Sequence, residues 1–93
     1  MHVTVELYGT LRDAVGHKSL SRNAPQGATA GEVVHELGEE YGSLGPLVFD
    51  SEGRVRPHIG IVVNDEPAER DTVLAAGDTL LLAPAVAGGV SLR

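Results

Sequence analysis

Gly88 and Gly89 are the residues of this chain best suited to chemistry on the main chain itself. They close a narrow run, Ala85-Val86-Ala87-Gly88-Gly89, that follows an apolar, strand-like segment ending at Pro84. A thread of this kind suits one reaction, the activation of a main-chain carboxylate inside another protein's active site. Each extended residue adds roughly 3.3–3.6 Å, so residues 85–89 reach roughly 17 Å beyond a fold that ends at residue 84. Alanine and valine add little width, and glycine admits backbone close to a ligand because it has no Cβ. Val90-Ser91-Leu92-Arg93 follow, so Gly89 carries an amide where the reaction needs a free carboxylate. The dipeptide alone decides nothing. Glycine makes up 12 of the 93 residues, and a glycine pair in a flexible terminal tail is the ordinary alternative.

Other chemistries find little support. With no cysteine there is no disulfide, thiolate metal site or cysteine nucleophile. His2, His17, His35 and His58 lack metal-ligand spacing. Asp65 and Glu66 are adjacent acids, but they stand beside Pro67 in a turn-like stretch and read as solvated turn residues. Neither a G-x-S-x-G elbow nor a phosphate loop is present. The chain therefore reads as a non-enzyme with no bound cofactor. A formal charge of −6, from 13 acids against 7 bases, argues against nucleic acid. It fits a partner protein with a basic face, or simple solubility. Tyr8, Tyr41 and Phe49 are too few for base stacking. No apolar run reaches the ~20 residues of a membrane span, and residues 1–6 carry no signal-peptide pattern. The expectation is a cytoplasmic protein of one domain, 1–84, with a flexible tail at 85–93.

The elements that must position the tail follow from local pattern. Val3, Val5 and Leu7 alternate with polar residues as in a half-buried strand. Thr10-Leu11-Arg12-Asp13 reads as a capping box opening a short helical turn that Gly16 stops. His17 to Asn23 is a weaker, edge-strand candidate. Thr29-Ala30-Gly31-Glu32 is a second capping box, and Ala30, Val33, Val34, Leu37 and Tyr41 share one face of a helix over 30–41. Gly42 is placed to end it as a C′ residue. Gly38 inside it costs roughly 1 kcal/mol relative to alanine, so packing on a sheet must hold this helix. Leu44 to Phe49 is an apolar stretch broken by Gly45-Pro46 and a possible strand. Asp50-Ser51-Glu52-Gly53 and Asn64-Asp65-Glu66-Pro67 read as turns on either side of the strand Ile59 to Val63. Thr79 to Ala83 is continuously apolar after its threonine and reads as a central strand buried on both faces. The order predicts an α+β domain with one main helix on one face of a mixed sheet. Val33, Val34 and Leu37 would pack on a sheet holding Val5, Leu7, Val62 and Leu81.

Four stretches, taken together and in order, carry a family likeness. They are Tyr8 to Gly16, Ala28 to Val33, Arg56-Pro57-His58-Ile59 leading to Val62-Val63-Asn64-Asp65-Glu66, and Gly77 to Gly89. Over nearly its full length the chain resembles the ubiquitin-like β-grasp sulfur carriers, the MoaD and ThiS group, and especially their MoaD-like and CysO-like members. The resemblance implies a β-grasp fold with four to five strands. It implies that the Gly89 carboxylate is adenylated by a ubiquitin-activating-like adenylyltransferase using ATP and magnesium. Sulfur from a rhodanese- or desulfurase-type donor then replaces the adenylate, and a sulfur-accepting enzyme consumes the thiocarboxylate. By this likeness Gly89 carries the sulfur, while Gly88, Ala87, Val86 and Ala85 are read by the partner. Pro84, Val86 and Phe49 are the expected partner interface, with Glu66 and Glu69 as acids that could join it.

The chain departs from the group in Val90-Ser91-Leu92-Arg93, since most members end at the second glycine. Some CysO-like systems resemble this arrangement and rely on a zinc metalloprotease, which implies cleavage between Gly89 and Val90. Molybdopterin, cysteine, thiolated tRNA or a sulfur-containing metabolite are the possible products, with thiamin less favoured. A molybdopterin-synthase-like small subunit is one such role. The rivals are a ubiquitin-like modifier joined through Gly89 to target lysines, and a non-catalytic interaction domain. Lys18 is the only lysine, so self-conjugation would be confined to it and the N-terminus.

Overall fold

The last described strand, β5 (Thr79–Pro84), is central in its sheet. The structure is a computed structural model that describes residues 1–84. Its elements run β1 (His2–Leu7), α1 (Gly9–Val15), β2 (Ser19–Asn23), α2 (Ala30–Glu40), α3 (Gly45–Val48), β3 (Ile59–Val63), β4 (Glu66–Pro67) and β5. One sheet holds all five strands in the order β2-β1-β5-β3-β4. β1 and β5 run parallel, with Val5 beside Leu80 and Leu7 beside Leu82. The other pairings are antiparallel, so the sheet is mixed.

Alternation sorts the sheet into two faces. Val3, Val5 and Leu7 of β1, Ile59 and Ile61 of β3, and Leu80 and Leu82 of β5 are buried in the core. They share one hydrophobic cluster with Ala30, Val33, Val34 and Leu37 of α2. The expected helix face is therefore the one that packs, but its partners on β3 and β5 are shifted by one residue. Ile61, Leu80 and Leu82 face the core, whereas Val62 and Leu81 pair with each other on the opposite face. In a strand one position exchanges inside for outside. β5 is accordingly buried on both faces only toward its end: Leu80 and Leu82 are 0% exposed and Ala83 on the outer face is buried, while Thr79 and Leu81 are half-buried.

The main helix begins as its sequence indicates. Thr29 Oγ1 accepts from the Glu32 amide at 3.2 Å, and Glu32 Oε1 accepts from the Thr29 amide at 2.9 Å. The amides of Ala30 and Gly31 are free of helix partners and donate to the carbonyls of Thr72 and Arg70. The helix ends at Glu40 with Tyr41 as C-cap, and Gly42 follows without left-handed backbone.

Three local expectations fail for identifiable reasons. Thr10 does not cap α1. Tyr8 holds the N-cap position and makes no side-chain cap bond. Its amide still belongs to the sheet, donating to Leu82 O at 3.1 Å, so strand passes into helix with no loop in which Thr10 could turn back. Leu44 to Phe49 forms no strand; α3 occupies it, with Pro46 in a first turn where the missing N–H costs nothing. Glu66-Pro67 is not only turn. Asn64 and Asp65 both hold positive φ, 50° and 70°, making a two-residue hairpin into the short edge strand β4.

The cost of Gly38 now has a cause. A Cβ there would lie 3.2 Å from the Cα and 3.4 Å from the backbone nitrogen of Gly45. The bare glycine lets α3 close on α2. Gly38→Ala should therefore destabilise by about 1–3 kcal/mol through overpacking, although helix propensity alone favours alanine by roughly 1 kcal/mol. Chemical denaturation of the two proteins checks this; a more stable variant would mean that α3 does not rest on α2.

Candidate functional site: the open sheet face at the end of β5

On the side of the sheet away from the core, side chains that alternation leaves outward gather around the end of β5. Leu81 and Ala83 of β5 stand beside Val62 and Gly60 of β3, and Val62 pairs with Pro67 of β4. Together with Tyr8, Gly9 and Pro84 they line a depression of ≈ 890 Å³. Tyr8 is 40% exposed. Apolar area on the outer face of a sheet is normally covered by something. Here it surrounds the last described residue of the chain.

Charge frames the patch unevenly. Glu6, beside Leu81 in the parallel pair, shares a smaller cleft with Asp65, Asn64 and Thr79. Asp65 and Glu66 are exposed at the hairpin tip. On the side of Tyr8, the Lys18 ammonium lies 5.9 Å from the ring centre, within cation–π range. The hairpin is fastened from below: Asn64 Nδ2 donates to Asp78 Oδ1 at 2.8 Å, and the Thr79 amide donates to Asn64 Oδ1 at 2.9 Å. The Ala75 amide donates to Asp78 Oδ2. The Ala75 bond, followed by the Asn64 amide, holds the Asp78 carboxyl below the usual aspartate range. A rigid turn thus carries the acidic rim.

Of the residues expected at the interface, Pro84 lies at this face. Phe49 does not join it. Its ring meets His35 of α2 edge-on, with centroids 6.1 Å apart at 74°, and it lines clefts with His35, Glu39 and Gly53. The cause is α3, which carries Phe49 onto the helical layer where a strand was expected. Glu66 is beside the patch in β4, whereas Glu69 lies beyond that strand, its amide bonded to Thr72 Oγ1. Ala85, Val86, Ala87, Gly88, Gly89 and Val90 lie outside the described residues. Sequence reasoning missed Tyr8, Gly60, Val62, Pro67, Leu81 and Ala83 as a group. The only sequence signal was that β5 is apolar at both parities, which leaves apolar side chains on whichever face is not the core.

Among the described residues no cluster of three or more His, Asp or Glu is placed to hold a metal ion. None of their helices is long and apolar enough to cross a membrane.

A five-stranded mixed sheet clasping one main helix defines a ubiquitin-like β-grasp protein. The chain matches the ThiS family over residues 5–89 and belongs to that family. It is similar to small archaeal modifier protein 3 of Haloferax volcanii, 36% identical over 94 residues, covering 96% of this chain and 100% of that one. It is also similar to the sulfur carrier protein CysO of Mycobacterium tuberculosis, 35% identical across 96% of this chain and 100% of the relative. The crystal structure of SAMP1 from Haloferax volcanii superposes with a TM-score of 0.88 at 29% identity, over 96% of this chain and 100% of that one. A chain of the Amycolatopsis orientalis BexX/CysO complex superposes at 0.74 with 30% identity, over 94% and 99%.

Proposed function

We propose that this chain is a sulfur carrier, a protein cosubstrate whose Gly89 carboxylate is exposed by removal of residues 90–93. The free carboxylate attacks the α-phosphate of ATP in an adenylyltransferase, giving an acyl adenylate and releasing pyrophosphate. The terminal sulfur of a persulfide on a rhodanese- or desulfurase-type donor then displaces AMP to form an acyl disulfide. A thiol attacks the donor's cysteine sulfur, forming a disulfide with it and releasing the thiocarboxylate. Activation is needed because a carboxylate oxygen is a poor leaving group. ATP and magnesium belong to the partner in this scheme, and a zinc metalloprotease performs the trimming. The observation that carries the reading is the apolar face at the end of the central strand, beside which residues 85–89 begin. That arrangement lets one partner grip the rigid face and receive the thread in the same encounter. Similarity to a protein named as a sulfur carrier supports it, as does the complex of a CysO with BexX, which makes partner enzymes of the activating and accepting kinds the natural expectation.

Modifier chemistry is the second reading, favoured by the similarity to small archaeal modifier protein 3. It shares the adenylation step and differs in the acceptor, a lysine amine in place of sulfur.

The partner surface in this proposal is Leu81, Val62, Pro67, Tyr8 and Pro84, and the partner also reads Val86; Phe49 has no part. Leu81→Asp is expected to raise the KM for the carrier at least tenfold in ATP–pyrophosphate exchange by the adenylyltransferase, in a protein that still folds but is less stable, since the new acid stands beside Glu6. A tenfold change corresponds to about 1.4 kcal/mol, modest for a charge placed in an apolar interface. An unchanged KM for a folded Leu81→Asp protein would put the partner on another face.

A further inference from the structure

We propose that Gly9 is a positioning residue for the terminal chemistry: its bare Cα seats the Pro84 ring, and that seat sets the direction in which the chain leaves β5. Gly9 holds φ +60, and a Cβ built there would lie 3.1 Å from Pro84 Cγ and 3.4 Å from Pro84 Cδ. Across the sheet Pro84 pairs with Ile59 of β3. Strand pairing thus fixes the Pro84 backbone, and the start of α1 stands against its ring. Gly9 is itself held, because the Tyr8 amide bonds Leu82 O and the Leu11 amide bonds Tyr8 O. The proline ring fixes its own φ near about −65°, which leaves the ψ of Pro84 as the main freedom at the exit. Position 9 must therefore combine left-handed backbone with the absence of a Cβ, and only glycine does both.

The inference rests on the carrier reading and adds a lever to it. Tilting the exit by about 10° moves the end of an extended residue 85–89 thread by about 3 Å. A misplacement of about 1 Å at a reacting centre costs about a hundredfold. The effect should therefore fall chiefly on turnover.

Two measurements separate the inference from the reading beneath it. The chain has no cysteine, so Val86→Cys gives a unique attachment point for a nitroxide, and amide broadening maps where the tail passes. Gly9→Asn keeps a backbone that asparagine tolerates but adds a Cβ against Pro84. Gly16→Asn is the control, since Gly16 at φ +86 has nothing within 4 Å of a built Cβ. Gly9→Asn is expected to change the broadening at Tyr8, Val62 and Leu81 at least twofold, and Gly16→Asn to leave it alone. In exchange assays on chains ending at Gly89, Gly9→Asn should lower kcat about tenfold, with some rise in KM as well because position 9 helps line the docking depression. A broadening pattern unaltered in Gly9→Asn overturns the positioning role. Altered broadening with an unsubstituted chain that is never adenylated leaves the seat standing and removes the carrier reading. If Gly9→Asn does not fold, Pro84→Ala removes the seated ring atoms and should change the pattern equally; an unaltered pattern there overturns the proposal too.

Discussion

Truncation after Ala87 is expected to abolish adenylation and thiocarboxylate formation, whereas truncation after Gly89 should support both without any protease. The uncut chain should be silent unless the protease is supplied, because the Gly89 carbonyl is then part of the amide to Val90. The Ala87 truncation leaves every described strand and helix intact, since these end at Pro84, so its loss of activity would be a loss of chemistry and not of folding. It removes the reacting carboxylate and shortens the thread by two residues, roughly 7 Å. A carboxylate on Ala87 would then stop short of the ATP that the adenylyltransferase holds. Gly89→Ala should impair both cleavage and activation, since a Cβ would intrude where partner backbone must come close. ATP–pyrophosphate exchange and intact-mass detection of the thiocarboxylate read the two steps separately. Equal exchange from the Ala87 and Gly89 truncations would remove the glycine pair from the mechanism.

The second large effect is on stability. Leu37 is 0% exposed and sits in the core with Ala30, Val33 and Val34 on the face that α2 turns to the sheet. Leu37→Ala should cost about 2–5 kcal/mol, against a total of about 5–15 kcal/mol for a protein of ordinary stability. For a domain of this size each kcal/mol moves the melting temperature by about 4–8 °C, so a fall of at least ~8 °C is expected by calorimetry. An 11-residue helix is too short to be stable alone, and no other element can make up for the leucine. A loss under about 0.5 kcal/mol would place Leu37 at the surface and break the packing described here.

Where local pattern and tertiary packing agreed, the sequence was legible. The capping box at Thr29 and Glu32 and the helix face through Leu37 were readable because each follows from spacing within one segment, and the central place of β5 because its run is continuously apolar. The facing of β3 and β5 was not. Ile59-Gly60-Ile61-Val62-Val63 and Leu80-Leu81-Leu82-Ala83 are apolar at both parities, so alternation cannot say which side is the core. That ambiguity hid the candidate site, whose apolar residues are the outward members of the same runs. α3 was obscured by Gly45-Pro46, which read as a break when proline in fact opens the turn. The pairing of Gly38 with Gly45 lies seven residues apart across two helices, beyond any local pattern. The role of Gly9 was not legible, since its contact with Pro84 joins the start of the chain to its last described residue.

The central claim is that Gly89 becomes a free terminus and carries sulfur, and intact-mass analysis of the protein from its native cells tests it most directly. Under conditions that demand sulfur transfer, the account predicts a species of residues 1–89, part of it shifted by the mass difference between sulfur and oxygen. Only the uncut 93-residue chain, unshifted, under those same conditions would contradict it.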